Sequence, residues 1–205
     1  MVQVKICGVR TLEDAAACVE AGADAIGLNF WAGTPRRVDV ETARAIVQAL
    51  GERVSFVGVF VDAGEARIRA VREATGIRWV QLHGEEPPAL VEALLPEAYK
   101  AVGVAQASDV EAALAYPGEQ LLLDARVPGA MPGGTGARFD WELAVEVASL
   151  RKLTLAGGLH PGNVAEAVRR VRPFRVDVAS GVEAAPGVKD AAKVRAFVEA
   201  AKGAG

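Results

Sequence analysis

The chain of 205 residues carries 23 basic and 26 acidic side chains, a net charge of −3 at pH 7, and is 51% hydrophobic. That length suffices for one well-buried core and is short for two, and the apolar fraction excludes a disordered chain. Near-balanced charge argues against a nucleic-acid-coating surface, which concentrates basic residues; small anionic substrates need only a local field and stay open.

Taken in chain order, apolar β-branched runs alternate with amphipathic stretches. The alternation at Met1-Val2-Gln3-Val4-Lys5-Ile6 reads as a first strand and lacks the long apolar core of a signal peptide. Thr11-Leu12-Glu13-Asp14 then opens a helix that should stop at Gly22. After a second strand, Asp39 is a candidate N-cap for a helix carrying Ala43, Ile46, Val47 and Leu50 at helical spacing. Gly76 should end a third helix, and Ser108-Asp109-Val110-Glu111 reads as a full capping box. Asp140 and Asp190 are further N-cap candidates, and Pro161 suits a first helical position. The strands are expected over residues 2–6, 25–30, 55–61, 79–82, 98–102, 120–123, 153–156 and 175–178.

Strand starts recur at roughly 20 to 35 residues, one strand-plus-helix unit each. Several strands are apolar throughout, as for parallel strands covered on both faces. Eight such units predict a single (β/α)8 TIM barrel over residues 1–205; an open doubly wound sheet is the competing arrangement. No apolar run approaches the roughly 20 residues that cross a bilayer, so no membrane association is expected. Two cysteines, Cys7 and Cys18, make no disulfide scaffold and have no partners at metal-ligand spacing. A reducing cytoplasm and a site without metal are therefore expected.

Functional groups of such a barrel gather at the C-terminal strand ends. The first strand ends in Lys5-Ile6-Cys7-Gly8, the fourth in Gln81-Leu82-His83-Gly84 and the sixth in Leu122-Leu123-Asp124. Cys7 reads either as an inert packed thiol or as a reactive one, and Lys5, on the same strand face, either favours its thiolate or pairs with an acid. Asp124, closing an apolar run, is costly there unless paired or used. Asp177, inside the last strand, reads as a group that orients a neighbour or contacts ligand. His83 is a ligand contact or a hydrogen-bonded structural residue. Arg36 or Arg37 is suited to clamp a carboxylate, the other being surface charge.

Gly157-Gly158 and Ser180-Gly181-Val182, after strands seven and eight, together suit a phosphate: glycines allow close backbone approach, and a short helix start attracts anions. The irregular stretch 128–136 suits a lid by its glycine and proline content. It matches neither a P-loop nor a dinucleotide fingerprint.

These residues resemble the phosphoribosylanthranilate isomerase family. The resemblance is carried in order by Lys5-Ile6-Cys7-Gly8, Gly58-Val59-Phe60-Val61, Val80-Gln81-Leu82-His83-Gly84, Leu122-Leu123-Asp124 and Gly133-Gly134-Thr135-Gly136 with Phe139-Asp140-Trp141. It continues through Ala156-Gly157-Gly158-Leu159 with Pro161 and Asn163-Val164, and through Asp177-Val178-Ala179-Ser180-Gly181-Val182-Glu183 with Pro186-Gly187 and Lys189-Asp190. It implies a cofactor-free Amadori rearrangement in tryptophan biosynthesis, with a phosphorylated small molecule as substrate. By residue match, Cys7 would be the general base, Asp124 the general acid and Arg36 the carboxylate clamp. Gly158, Ser180, Gly181 and adjoining backbone would hold phosphate. Trp31-Ala32-Gly33-Thr34-Pro35-Arg36 departs from the family's usual Tyr-Pro-Lys-Ser-Pro-Arg, and Ala179 stands where the family often has Ser.

Free Asp and Cys have pKa values near ~3.9 and ~8.5, so the site is expected to raise the acid and favour the thiolate. A Schiff-base aldolase using Lys5 or Lys100, and a non-catalytic phosphometabolite-binding barrel, are the alternatives. A homodimer is left open.

Overall fold

The computed structural model describes residues 1–126 and 139–205. The stretch read as a lid, 128–136, lies outside the described residues.

Eight parallel strands close on themselves in sequence order: β1 (Gln3–Cys7), β2 (Ala25–Asn29), β3 (Ser55–Phe60), β4 (Trp79–Leu82), β5 (Ala98–Val104), β6 (Gln120–Ala125), β7 (Lys152–Leu155) and β8 (Arg175–Val178). Closure comes from β8 pairing with β1, with Asp177 opposite Lys5. The expected TIM barrel is therefore the observed fold, and the open sheet is excluded. Helices α1 (Leu12–Glu20), α2 (Val40–Leu50), α3 (Glu65–Thr75), α4 (Pro88–Ala93), α5 (Ala107–Leu114), α6 (Glu142–Leu150), α7 (Val164–Val171) and α8 (Ala191–Lys202) follow the eight barrel strands in turn. Among the described residues no helix is long and apolar enough to cross a membrane.

The local rules that start these helices mostly hold. Thr11 accepts the Asp14 N–H, Asp39 the Thr42 N–H, and Asp190 the N–H groups of Ala192 and Lys193. Asp140 receives the Glu142 N–H just ahead of α6. Three expectations shift. The capping box of α5 starts at Gln106 rather than Ser108: the Asp109 carboxylate turns back to the N–H groups of Ala105 and Gln106, leaving Ser108 inside the helix. Pro161 lies in a turn before α7, because Asn163 folds back onto the His160 N–H and the Gly158 carbonyl and delays the helix to Val164. Beyond a single 3-10 turn at Ser180–Val182 comes an unexpected hairpin, β9 (Glu183–Ala185) and β10 (Val188–Lys189), turning at Gly187 with φ +80.

The core has an outer apolar layer, made of two clusters, and a smaller inner one. The larger fills the space between strands and helices: Ile6, Ile26 and Leu28 on the strands, with Ala43 and Ile46 of α2 and Phe197 of α8. A small cluster of Ala25, Val57, Tyr99, Ala101, Leu122 and Ala156 is separate from it. Alternate residues of a strand face opposite sides, so Lys5 and Cys7 share a face, as do Gln81 with His83 and Leu122 with Asp124. Of these, Cys7, Gln81, His83 and Asp124 line the mouth of the barrel.

Candidate active site

A cleft of about 630 Å³, counted with the solvent at its opening, lies at the C-terminal strand ends. Cys7, Arg36, His83, Asp124, Gly157, Gly158, Asp177 and Ser180 all line it. Gly181 does not line it; a side chain there would run into the Leu159 carbonyl, so glycine lets the loops after β7 and β8 pack together. Arg37 is exposed, which leaves Arg36 as the arginine of the cleft.

Beneath the cleft, the Lys5 ammonium is fully buried and lies 3.0 Å from both Asp177 carboxylate oxygens and from Gln81 Oε1. Burial works against this charge. Asp177 outweighs that cost, with smaller help from Cys7 and Tyr99, and holds the lysine above its ordinary range. Asp177 thus orients a neighbour while facing the cleft. The pairing also removes Lys5 as a Schiff-base nucleophile, which must be neutral to attack. Lys100, the other candidate, donates to Glu86 and to the carbonyls of Leu82, Gly84 and Ala101.

Cys7 ends β1 half-buried. A Cβ at Gly27 of the neighbouring strand would lie 2.8 Å from its sulfur and 3.1 Å from Lys5 Nζ, so the missing side chain makes their room. Of the two readings of Lys5, pairing with an acid is the one observed. Burial pushes the Cys7 thiol up, and the opposing pull of Lys5 and Lys189 does not overcome it. The reason is geometric: the nearest cation, Lys5, already has Asp177 as its counter-ion.

Asp124 is the penultimate residue of β6, paired with Gly103 of β5, rather than the residue beyond the strand. One oxygen, Oδ1, accepts the Ala125 N–H at 2.8 Å, while Oδ2 faces His83 Nε2 at 3.5 Å. His83 Nδ1 is 3.1 Å from Gln81 Nε2. A continuous polar chain therefore runs from Asp177 through Lys5, Gln81 and His83 to Asp124.

Arg36 lies across the loop after β2. Its Nε and NH2 donate to Glu183 Oε1 and Oε2, each at 2.9 Å. Its aliphatic stem packs where a Gly8 side chain would be, 2.6 Å from the Arg36 Cδ; at φ +74 that position suits glycine twice over. Glu183 also accepts from Lys189, whose Nζ reaches the Cys7 and Ala179 carbonyls. Burial pushes the Glu183 carboxyl up, but Arg36 and Lys189 prevail and hold it below the usual carboxylate range. This side-on engagement uses Nε and one terminal nitrogen of the guanidinium.

Gly157 and Gly158 take φ +87 and +62, and a Cβ on Gly157 would lie 2.7 Å from the Ala125 nitrogen. Sequence reasoning missed Gln81, Tyr99, Glu183 and Lys189 as members of this network. A signal existed for two of them. Gln81 shares strand parity with His83, and Lys189 follows the Pro186-Gly187 turn that brings it back over Glu183. Among the described residues no group of three His, Cys, Asp or Glu side chains is disposed to hold a metal.

With this geometry in hand, likeness to known proteins is specific. A family model described as N-(5'-phosphoribosyl)anthranilate (PRA) isomerase matches residues 4–200. The N-(5'-phosphoribosyl)anthranilate isomerase of Pseudomonas putida (strain W619) is 48% identical over 203 residues, covering 98% of each chain. Monomers of the dimeric phosphoribosylanthranilate isomerase of Thermotoga maritima superpose with a TM-score of 0.88 at 42% identity, covering 99% of this chain and 100% of that one. A phosphoribosyl anthranilate isomerase in complex with reduced 1-(o-carboxyphenylamino)-1-deoxyribulose 5-phosphate gives 0.89 at 43% identity, with the same coverage. By sequence and by fold alike, the chain belongs to the N-(5'-phosphoribosyl)anthranilate isomerase family.

Proposed function

We propose that the chain converts N-(5'-phosphoribosyl)anthranilate to 1-(2-carboxyphenylamino)-1-deoxyribulose 5-phosphate, the third step of tryptophan synthesis from chorismate. Cys7 is the general base and Asp124 the general acid. The observation that carries this reading is that the thiol and the carboxylate front one cleft, together with Arg36 and the glycine loops after β7 and β8.

The carboxyl of Asp124 donates a proton to the ribose ring oxygen, and the ring opens to an iminium. Cys7, acting as the thiolate against the upward push of burial, then removes the proton from the neighbouring carbon, giving an enolamine that tautomerises to the aminoketose. Protons move within one molecule and no electron acceptor is needed, so an acid and a base suffice. Arg36, its inner edge fixed by Glu183, receives the anthranilate carboxylate. The backbone at Gly157, Gly158, Ser180 and Gly181 receives the phosphate, while His83 and Asp177 border the sugar.

The reading takes residues 1–205 as one catalytic domain. Free thiols at Cys7 and Cys18 support a reducing cytoplasm. Likeness to a relative described as dimeric supports a homodimer, which sedimentation at micromolar concentration tests. The activity is tested by mixing purified protein with N-(5'-phosphoribosyl)anthranilate and following anthranilate fluorescence. Loss of the signal at a catalytic rate is expected. Saturable binding without that loss would leave the alternative of a phosphometabolite-binding barrel.

A further inference from the structure

We infer that Gln81 is a positioning residue that fixes the proton of His83 on Nε2, so that the acid Asp124 faces an uncharged N–H donor. This rests on the proposed role of Asp124 as general acid.

The Lys5 ammonium has donors only. Its Nζ lies 3.0 Å from one end of the Gln81 amide, so that end must be the oxygen. Tyr99 adds its hydroxyl to the same oxygen at 3.1 Å. The amide NH2 is thereby turned to His83 Nδ1, 3.1 Å away, and that nitrogen must accept. A neutral imidazole accepting at Nδ1 carries its hydrogen on Nε2, the atom 3.5 Å from Asp124 Oδ2.

Each alternative state of His83 would harm an acid. The opposite tautomer turns a basic lone pair toward Asp124 and competes for its proton. An imidazolium sets a full positive charge beside the carboxyl and favours its ionised form. Both need a hydrogen on Nδ1, where it would meet the hydrogens of Gln81. The same amide is held by a lysine that is itself locked to Asp177, so the order of protons is imposed from the far side of the barrel. Among the described residues, the other titratable groups lining the mouth are Cys7 on β1, Asp177 on β8 and Arg36 after β2, the last paired with Glu183.

The test compares the full-length protein with Gln81→Glu, which preserves the shape and the bond to Lys5 but places an acceptor against Nδ1. The chain has two histidines, so a His160→Gln background assigns the signals of His83 in long-range proton–nitrogen NMR at pH 8. The wild type should show hydrogen on Nε2. Gln81→Glu should show hydrogen on Nδ1, alone or on both nitrogens, with turnover down at least tenfold and a melting temperature close to wild type. Should Gln81→Glu fold poorly, Gln81→Met serves in its place, with loss of the fixed Nε2 state and of turnover expected. Hydrogen on Nδ1 in the wild type, an unmoved tautomer in the variant, or a moved tautomer with unchanged turnover would each overturn the inference. An active Asp124→Asn would instead overturn the acid assignment while leaving the NMR result standing, so the two failures are distinguishable.

Discussion

Replacing Asp177 by Asn removes the one carboxylate that, among the described residues, is bonded to Lys5, a lysine with no exposure to solvent. The ammonium keeps Gln81 Oε1 and gains a neutral amide, but its counter-charge is gone. Leaving a buried charge without its partner costs roughly 3–5 kcal/mol. For a chain of this size that corresponds to a melting temperature lower by roughly 10 °C. The variant should also respond to pH with a definite sign. Without Asp177, burial prevails and the folded-state pKa of Lys5 falls below its unfolded value. The unfolded chain then binds more protons, so stability rises with pH until the ordinary lysine pKa of ~10.4 is passed. In the wild type the Lys5 pKa is instead raised, so its contribution is complete below that pH and is lost only above it. Thermal and urea unfolding at pH 7 and pH 9.5 measure both effects. Lys5→Met combined with Asp177→Leu should recover most of the lost stability, because an apolar pair replaces a broken ionic one. A loss under about 1 kcal/mol in Asp177→Asn, set against that 3–5 kcal/mol, or a double variant no better than the single, would refute the reasoning.

Two further outcomes follow from the cleft. Glu183→Gln removes the charge that fixes Arg36 through two bonds of 2.9 Å; a charge-assisted hydrogen bond contributes about 1.5–3 kcal/mol, so KM should rise by roughly tenfold or more while kcat changes less. Steady-state kinetics check this, and an unchanged KM would show that Arg36 needs no such support. Because burial pushes the Cys7 thiol up, its alkylation by iodoacetamide at pH 8 should be slower than that of free cysteine and should climb with pH. Cys18, its thiol pushed up to about 12 by burial, should react only after unfolding. Mass spectrometry of the labelled peptides separates the two, and fast labelling of Cys7 at neutral pH would contradict the burial argument.

The barrel was legible because its signals are local and repeated. Eight apolar runs, each followed by a cap or an amphipathic stretch, admit few closures, and parity alone put Lys5 and Cys7 on one face. Asp124 stood out as a carboxylate closing an apolar run. What stayed hidden depends on pairing between distant segments. Glu183 and Arg36 are 147 positions apart and Lys5 and Asp177 are 172 apart, so no periodicity could match one to the other. The β9–β10 hairpin was missed because its strands have three and two residues, too short for any alternation to register. The upward push on the Cys7 thiol depends on the same distant pairing. A neighbouring lysine suggests a thiolate in sequence, whereas in the fold that lysine already has a partner.

The central claim is that Cys7 and Asp124 exchange protons with phosphoribosylanthranilate, and single-turnover fluorescence with enzyme in excess tests it most directly. Cys7→Ala and Asp124→Asn should each bind the substrate and slow its conversion by at least a hundredfold, with the fold intact by circular dichroism. Conversion at a near-normal rate by either variant would contradict the assignment of that residue, and by both would move the chemistry elsewhere in the cleft.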